Sequence, residues 1–187
     1  MTPGKMLPAN VAVLKARFPA VLRKIVEAGD RMPDSFHYSA ENGVERLMMQ
    51  RGEHSFCPYG DHNPGMLIKR WFDNLRLVGE SLYAITGFGD GSHLKHFLQE
   101  SGTGINFLAA EKDPALIRET LARFDLSDLL SHQRFILGTG ELDDEYFASI
   151  QGAALTGVND VNSLVFSPLH SVDEAYYDKM RNELVRQ

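Results

Sequence analysis

The stretch Ser81–Pro114, SLYAITGFGDGSHLKHFLQESGTGINFLAAEKDP, decides the fold. Ser81–Thr86 carries Leu, Tyr, Ala, Ile and Thr, the composition of a buried parallel strand. Gly87-Phe88-Gly89-Asp90-Gly91 follows as a G-x-G-x-G turn. Ser92 is placed to cap the next helix, on which Leu94, Phe97 and Leu98 form one apolar stripe. Gly102-Thr103-Gly104 ends that helix. Ile105–Ala110 is a second apolar strand, and Glu111 stands at its carboxyl end.

This order has a physical reason. The first glycine permits a tight turn off the strand, the second lets a ligand approach the backbone, and the third lets helix and strand pack closely. The helix then directs free N–H groups and the positive end of its dipole above the sheet. An acidic residue 20 positions after Gly91 suits a ribose diol. A nucleotide-type pocket, ancestral or working, would be lined by Gly87, Gly89 and Gly91, faced by Ser92 and His93, and marked at the ribose by Glu111. The competing reading is an ordinary tight strand-turn-helix unit with an exposed Glu111.

The 187 residues suffice for one sizeable domain, or a domain with a small appendage. A net charge of −6 argues against a nucleic-acid partner held through phosphates. The single cysteine, Cys57, excludes an internal disulfide and a cysteine-based zinc site. It reads as a small packed residue. With no signal peptide and no apolar run of about 18 residues, a cytoplasmic protein without a membrane partner is expected.

Along the chain, Asn10 is placed to cap a helix running to about Ala28, with a break at Pro19. Asp34–Tyr59 reads as short antiparallel strands around an Asn42-Gly43 turn. Residues 1–60 are therefore expected to form a small helix-plus-strand segment, and residues 61–187 a Rossmann-like, methyltransferase-like domain. Pro64 opens a helix bearing Trp71. Helices are also expected from Asp113-Pro114, at Ser127, over Asp143–Gln151 and over Val172–Val185. Further strands are expected at Arg134–Leu137 and Leu164–Phe166. Strands alternating with helices imply an α/β fold with a mainly parallel sheet.

Several stretches together resemble the motility-associated factor family of flagellin glycosyltransferases, in the part N-terminal to their glycosyltransferase-like core. They are NVAVLKARFPAVLRKI, the segment ending SFCPYGDHNP, GFGDGSHLKHFL with FLAAEKDPALI, and FSPLHSVDEAYYDKMRNEL. The likeness spans Asn10 to Leu184. The glycine turn is shared with S-adenosylmethionine-dependent methyltransferases. Family members are longer, and their sugar-nucleotide chemistry lies in a later domain that this chain does not reach. The resemblance thus implies a Rossmann-like accessory domain, with a nucleotide or nucleotide-sugar ligand, or a protein partner, as its business.

The chemistry leaves alternatives open. A methyltransferase would hold S-adenosylmethionine with the glycine turn and Glu111, yet Leu137 is followed by Gly138-Thr139-Gly140 with no acidic residue directly at the strand end. Phe166-Ser167-Pro168-Leu169 stands roughly where some methyltransferases carry an Asn/Asp-Pro-Pro motif, without its acidic or amide residue. A nicotinamide dehydrogenase would need a second half-sheet. His93 and His96, three apart, are either a functional pair or a first-turn hydrogen bond and an exposed side chain. His54 and His62 with Asp61 are either a metal cluster or, more simply, a turn and helix start. No metal is expected. Trp71, and His170 with Tyr176 and Tyr177, read as packing.

Overall fold

The computed structural model describes residues 5–31, 35–41, 43–60, 63–79, 81–154 and 160–185. Two sheets organise it. The first is antiparallel, in the order β1 (Phe36–Glu41), β2 (Val44–Arg51), β3 (His54–Phe56). The second is parallel. Its order is β6 (Phe135–Thr139), β5 (Asn106–Glu111), β4 (Ser81–Thr86), β7 (Asp160–Leu164). The α/β class and the mainly parallel sheet are as the alternating apolar runs require.

The central strands β4 and β5 are buried almost throughout, which is why they read as unbroken apolar runs. Their side chains alternate between two cores. Tyr83, Ile85, Phe107, Ala109, Phe135 and Leu137 face helices α1 (Pro8–Arg17), α2 (Pro19–Glu27), α4 (Ser92–Glu100), α5 (Pro114–Arg123) and α6 (Ser127–Ser131). Leu82, Ala84, Leu108, Ala110 and Ile136 face α7 (Asp144–Ala154) and α9 (Glu174–Val185). A third cluster lies past the carboxyl ends of the strands. It joins Phe36, Tyr38, Leu47 and Met49 of the antiparallel sheet to Tyr59, Ile68 of α3 (Pro64–Asp73), Leu116, Phe166 and Leu169. Residues on both sides of Gly60 thus share the first and third cores.

Several local expectations change. The first helix is two: Phe18 leaves helical backbone at φ −131°, and Pro19 starts α2. Asn10 is no cap. It lies within α1, fully buried, and its amide donates to the Leu121 and Phe124 carbonyls at 2.9 and 2.8 Å while its oxygen accepts the Leu126 N–H at 3.0 Å. The fourth parallel strand is Asp160–Leu164, not Leu164–Phe166. It is a polar edge strand without the apolar run that marks β4 and β5, and Phe166 turns inward behind it. Of the Asn42-Gly43 turn, Asn42 lies outside the described residues, and Gly43 has φ +78°.

Candidate functional site

In the order β6-β5-β4-β7 the chain runs one way from β4 and then the other, so the switch point lies at the carboxyl ends of β4 and β7. Ligands of open α/β sheets bind in the crevice there. The glycine turn occupies it, and all three glycines need positive φ: Gly87 +79°, Gly89 +54°, Gly91 +82°.

Protein side chains stand on all three. A Cβ on Gly87 would lie 2.7 Å from Leu169 Cδ1, and one on Gly91 2.7 Å from Leu126 Cδ1. One on Gly89 would collide with the Tyr59 hydroxyl and lie 3.0 Å from Leu169. Leu169 sits on the short helix α8 (Ser167–His170), delivered by Phe166, whose N–H donates to Thr86 Oγ1 at 3.0 Å. The stretch FSPL that follows β7 therefore plugs the switch point.

The N–H groups of Gly87, Phe88, Asp90 and Gly91, and that of Ser92, are engaged as well. Gly87 N–H donates to the Ala110 carbonyl at 2.8 Å and Phe88 N–H to Glu111 Oε2 at 3.0 Å. Asp90 N–H donates to Tyr59 Oη at 3.2 Å, Gly91 N–H to the Phe88 carbonyl at 3.0 Å, and Ser92 N–H to Asp90 Oδ1 at 2.8 Å. Ser92 is thus the first helical residue, with Gly91 as N-cap, and the expected Ser92 cap is replaced by the Asp90 carboxylate. Anion-binding turns work by leaving such N–H groups free.

Two tyrosines from the N-terminal part clamp the turn. Thr120 Oγ1 donates to the Gly89 carbonyl at 2.8 Å, so its proton is committed and the Tyr38 hydroxyl, 2.7 Å away, donates to it. Tyr59 Oη lies 2.9 Å from His93 Nδ1. His93 is fully buried, stacked on Phe166 with ring centroids 4.7 Å apart and edge-on to Trp71. Burial pushes its imidazole down to about 3, so it is neutral. Trp71 donates to the Val165 carbonyl at 3.0 Å. His96 is half-buried rather than exposed, edge-on to Phe72. The structure does not pair the two histidines.

Glu111 is buried rather than exposed, at the carboxyl end of β5. Its two oxygens accept the Phe88 N–H and, at 3.1 Å, the Asp113 N–H. Burial raises its carboxyl to about 7, and the two backbone N–H groups only partly offset that.

A cavity of about 540 Å³ lies beside the plugged turn, over the ends of β5 and β6. Its polar lining includes Arg31, Glu111, Lys112, Asp113, Asp173 and Tyr177, with Glu141, Ser35 and Gln50 beside them, and Phe36, Met49, Leu116, Leu169 and Val172 are apolar walls. None of Gly87, Gly89, Gly91, Ser92 or His93 lines it; Glu111 does. Among the described residues no group of three or more His, Cys, Asp or Glu could hold a metal, and no helix is long and apolar enough to cross a membrane. Asp61 and His62 lie outside the described residues.

Compared with solved structures, the chain is similar to the MAf glycosyltransferase from Magnetospirillum magneticum AMB-1, with TM-score 0.44 and 15% identity. The match covers 92% of this chain and 35% of that one, so the chain spans about a third of that protein's length. The relationship is a distant structural one. No protein-family model and no curated protein matches the sequence.

Sequence reading did not find Tyr59, Leu169 or Tyr177 as site residues. Their signal was present but unspecific: Tyr59 and Leu169 each follow or adjoin a proline turn, and Tyr177 is one of a tyrosine pair in the last helix.

Proposed function

We propose that the chain is an accessory domain of the nucleotide-binding type, in which the glycine turn has become a packing joint. Its small-molecule site is then the cavity over β5 and β6. The kinship with the motility-associated flagellin glycosyltransferases rests on the sequence stretches quoted above, and in this reading the domain supports glycosyl transfer without performing it. The observation that carries the proposal is the seating of Tyr59 and Leu169 on Gly89 and Gly87, with the N–H groups of Phe88, Asp90 and Ser92 committed to protein acceptors.

The same observation weighs against methyl transfer. S-adenosylmethionine would lay its methionyl part over the glycine turn, where Tyr59, Phe166 and Leu169 stand. Glu111 alone of the expected cofactor residues lines the cavity over β5 and β6.

Thermal unfolding tests this. A ligand at about 100 times its dissociation constant adds roughly 2.7 kcal/mol, which for a chain of this size raises Tm by about 5–10 °C. S-adenosylmethionine, S-adenosylhomocysteine and a nicotinamide dinucleotide are expected to leave Tm unchanged up to millimolar concentration. A rise of that order with either sulfur compound that persists when the cavity is filled by Val172→Trp would return the site to the glycine turn and restore the methyltransferase reading.

A further inference from the structure

We infer that the cavity over β5 and β6 takes an uncharged, hydroxyl-bearing compound, a nucleoside rather than a nucleotide, with the Tyr177 hydroxyl as its hydrogen-bond donor. The inference rests on the cavity, not the glycine turn, being the small-molecule site.

The Tyr177 ring is buried, with 4% of the residue exposed, while its hydroxyl, which makes no hydrogen bond to another described residue, stays open to solvent on a side chain that lines the cavity. A hydroxyl that is open to the cavity and not engaged by the protein is free to donate to a ligand there in place of water. The ring is fixed by stacking on His170 and by an edge contact with Tyr176, with centroids 5.9 and 5.2 Å away. The donor is therefore held in place before any ligand arrives.

Charge then selects the ligand. The cavity's two cations are already matched: Lys112 pairs with Asp173, and Arg31 with Asp113 at 3.3 Å. Glu141 remains as a further acidic group on the lining, beside Glu111, whose raised carboxyl holds a proton part of the time near neutral pH. A phosphate would meet excess negative charge with no cation to spare, and the N–H groups of Phe88, Asp90 and Ser92 are committed. Carboxylate oxygens instead accept from hydroxyl or amino groups. Phe36, Met49 and Val172 offer an apolar surface for a ring face. A volume of about 540 Å³ lies in the range of small-ligand sites. A nucleoside meets all three demands: a ring acceptor for Tyr177, hydroxyl donors for the carboxylates and an apolar face.

The test is isothermal titration of the chain with adenosine, guanosine, cytidine and uridine and with their 5′-diphosphates. Wild type is compared with Tyr177→Phe and Val172→Trp. At least one nucleoside is expected to bind tenfold or more tightly than its diphosphate. Tyr177→Phe is expected to weaken it about tenfold or more without lowering Tm, because the lost hydroxyl has no hydrogen-bond partner among the described residues. Val172→Trp, which fills the cavity, is expected to abolish binding. No binding by any nucleoside, or nucleoside binding indifferent to Tyr177→Phe, overturns the inference. A diphosphate that binds more tightly and is blocked by Val172→Trp also overturns it, but leaves the cavity as the site. Binding that survives Val172→Trp sinks both.

Discussion

Glu111 Oε2 accepts the Phe88 N–H at 3.0 Å, so the acidic residue that ends one strand holds the glycine turn that ends its neighbour. This gives a pH signature. Burial raises the folded carboxyl to about 7 from an ordinary value of 4.5. The folded state therefore keeps its proton where the unfolded state has lost it. The protonated group's contribution is whole below about pH 4.5, falls as pH rises, and is lost above about 7, a change on the order of 3 kcal/mol. Chemical denaturation of wild type and Glu111→Gln between pH 4 and 8 checks this. The stability of wild type relative to the variant should decline across that window and level off above it. A flat difference would mean that Glu111 ionises like an exposed carboxyl.

Gly89 and Gly52 separate backbone strain from crowding. Both have left-handed backbone, at φ +54° and +59°. A Cβ on Gly52 meets nothing within 4 Å, whereas one on Gly89 meets the Tyr59 hydroxyl and Leu169. Gly52→Ala should cost about 1–2 kcal/mol, the strain of that backbone region for an L-residue. Gly89→Ala should cost that and a further 1–3 kcal/mol or so from overpacking. Equal losses in urea unfolding would mean that Tyr59 and Leu169 do not press on the turn.

How far this was legible is seen at the same glycines. Ser81–Thr86, the turn and the following helix could be read because each follows from local rules: an apolar run, positive-φ glycines, a helical stripe. Glu111 at a strand end was legible for the same reason. What stands on the turn was not, since Tyr59 comes from before the first parallel strand and Leu169 from after the last. Residue types that permit a ligand to approach equally permit a tyrosine or a leucine to do so. Strand β7 escaped because an edge strand need not be apolar, and its sequence DVNSL carries no run. Asn10 has the residue type of a cap, and only the fold reveals that its partners lie past position 120. Tyr177 was seen as packing, and its ring does pack; the side open to the cavity belongs to tertiary structure alone.

Tyr59 Oη serves two partners, the His93 ring and the Asp90 N–H. Tyr59→Phe keeps the ring's contact with Phe166, at 5.6 Å between centroids, but leaves two polar groups without it. A loss of about 2–4 kcal/mol is expected. In a double-mutant cycle, His93→Leu added to Tyr59→Phe should cost less than the sum of the single changes, because the second change removes a group the first left unpartnered. Strict additivity would show that the 2.9 Å contact contributes nothing.

Asn10 offers the sharpest contrast between side chains of one shape. Its amide donates to the carbonyls of Leu121, in the last turn of α5, and of Phe124, just past its end, and an ionised aspartate has no such donor. Asn10→Ala should cost about 2–4 kcal/mol, since the Phe124 carbonyl and the Leu126 N–H lose their partner and the Leu121 carbonyl is left with the Leu7 N–H alone. Asn10→Asp should be tolerated best at low pH, where the carboxyl keeps a proton to donate. It should become worse as pH rises, because a fully buried site facing two carbonyl oxygens disfavours the ionised form. The folded pKa of that aspartate then lies above its unfolded value, and stability falls through the interval between them. Thermal unfolding of Asn10→Asp at pH 4 and pH 7, against wild type at each, measures it. A variant as stable at pH 7 as at pH 4, relative to wild type, would mean that the position is open to water and that α1 does not seal the end of α5.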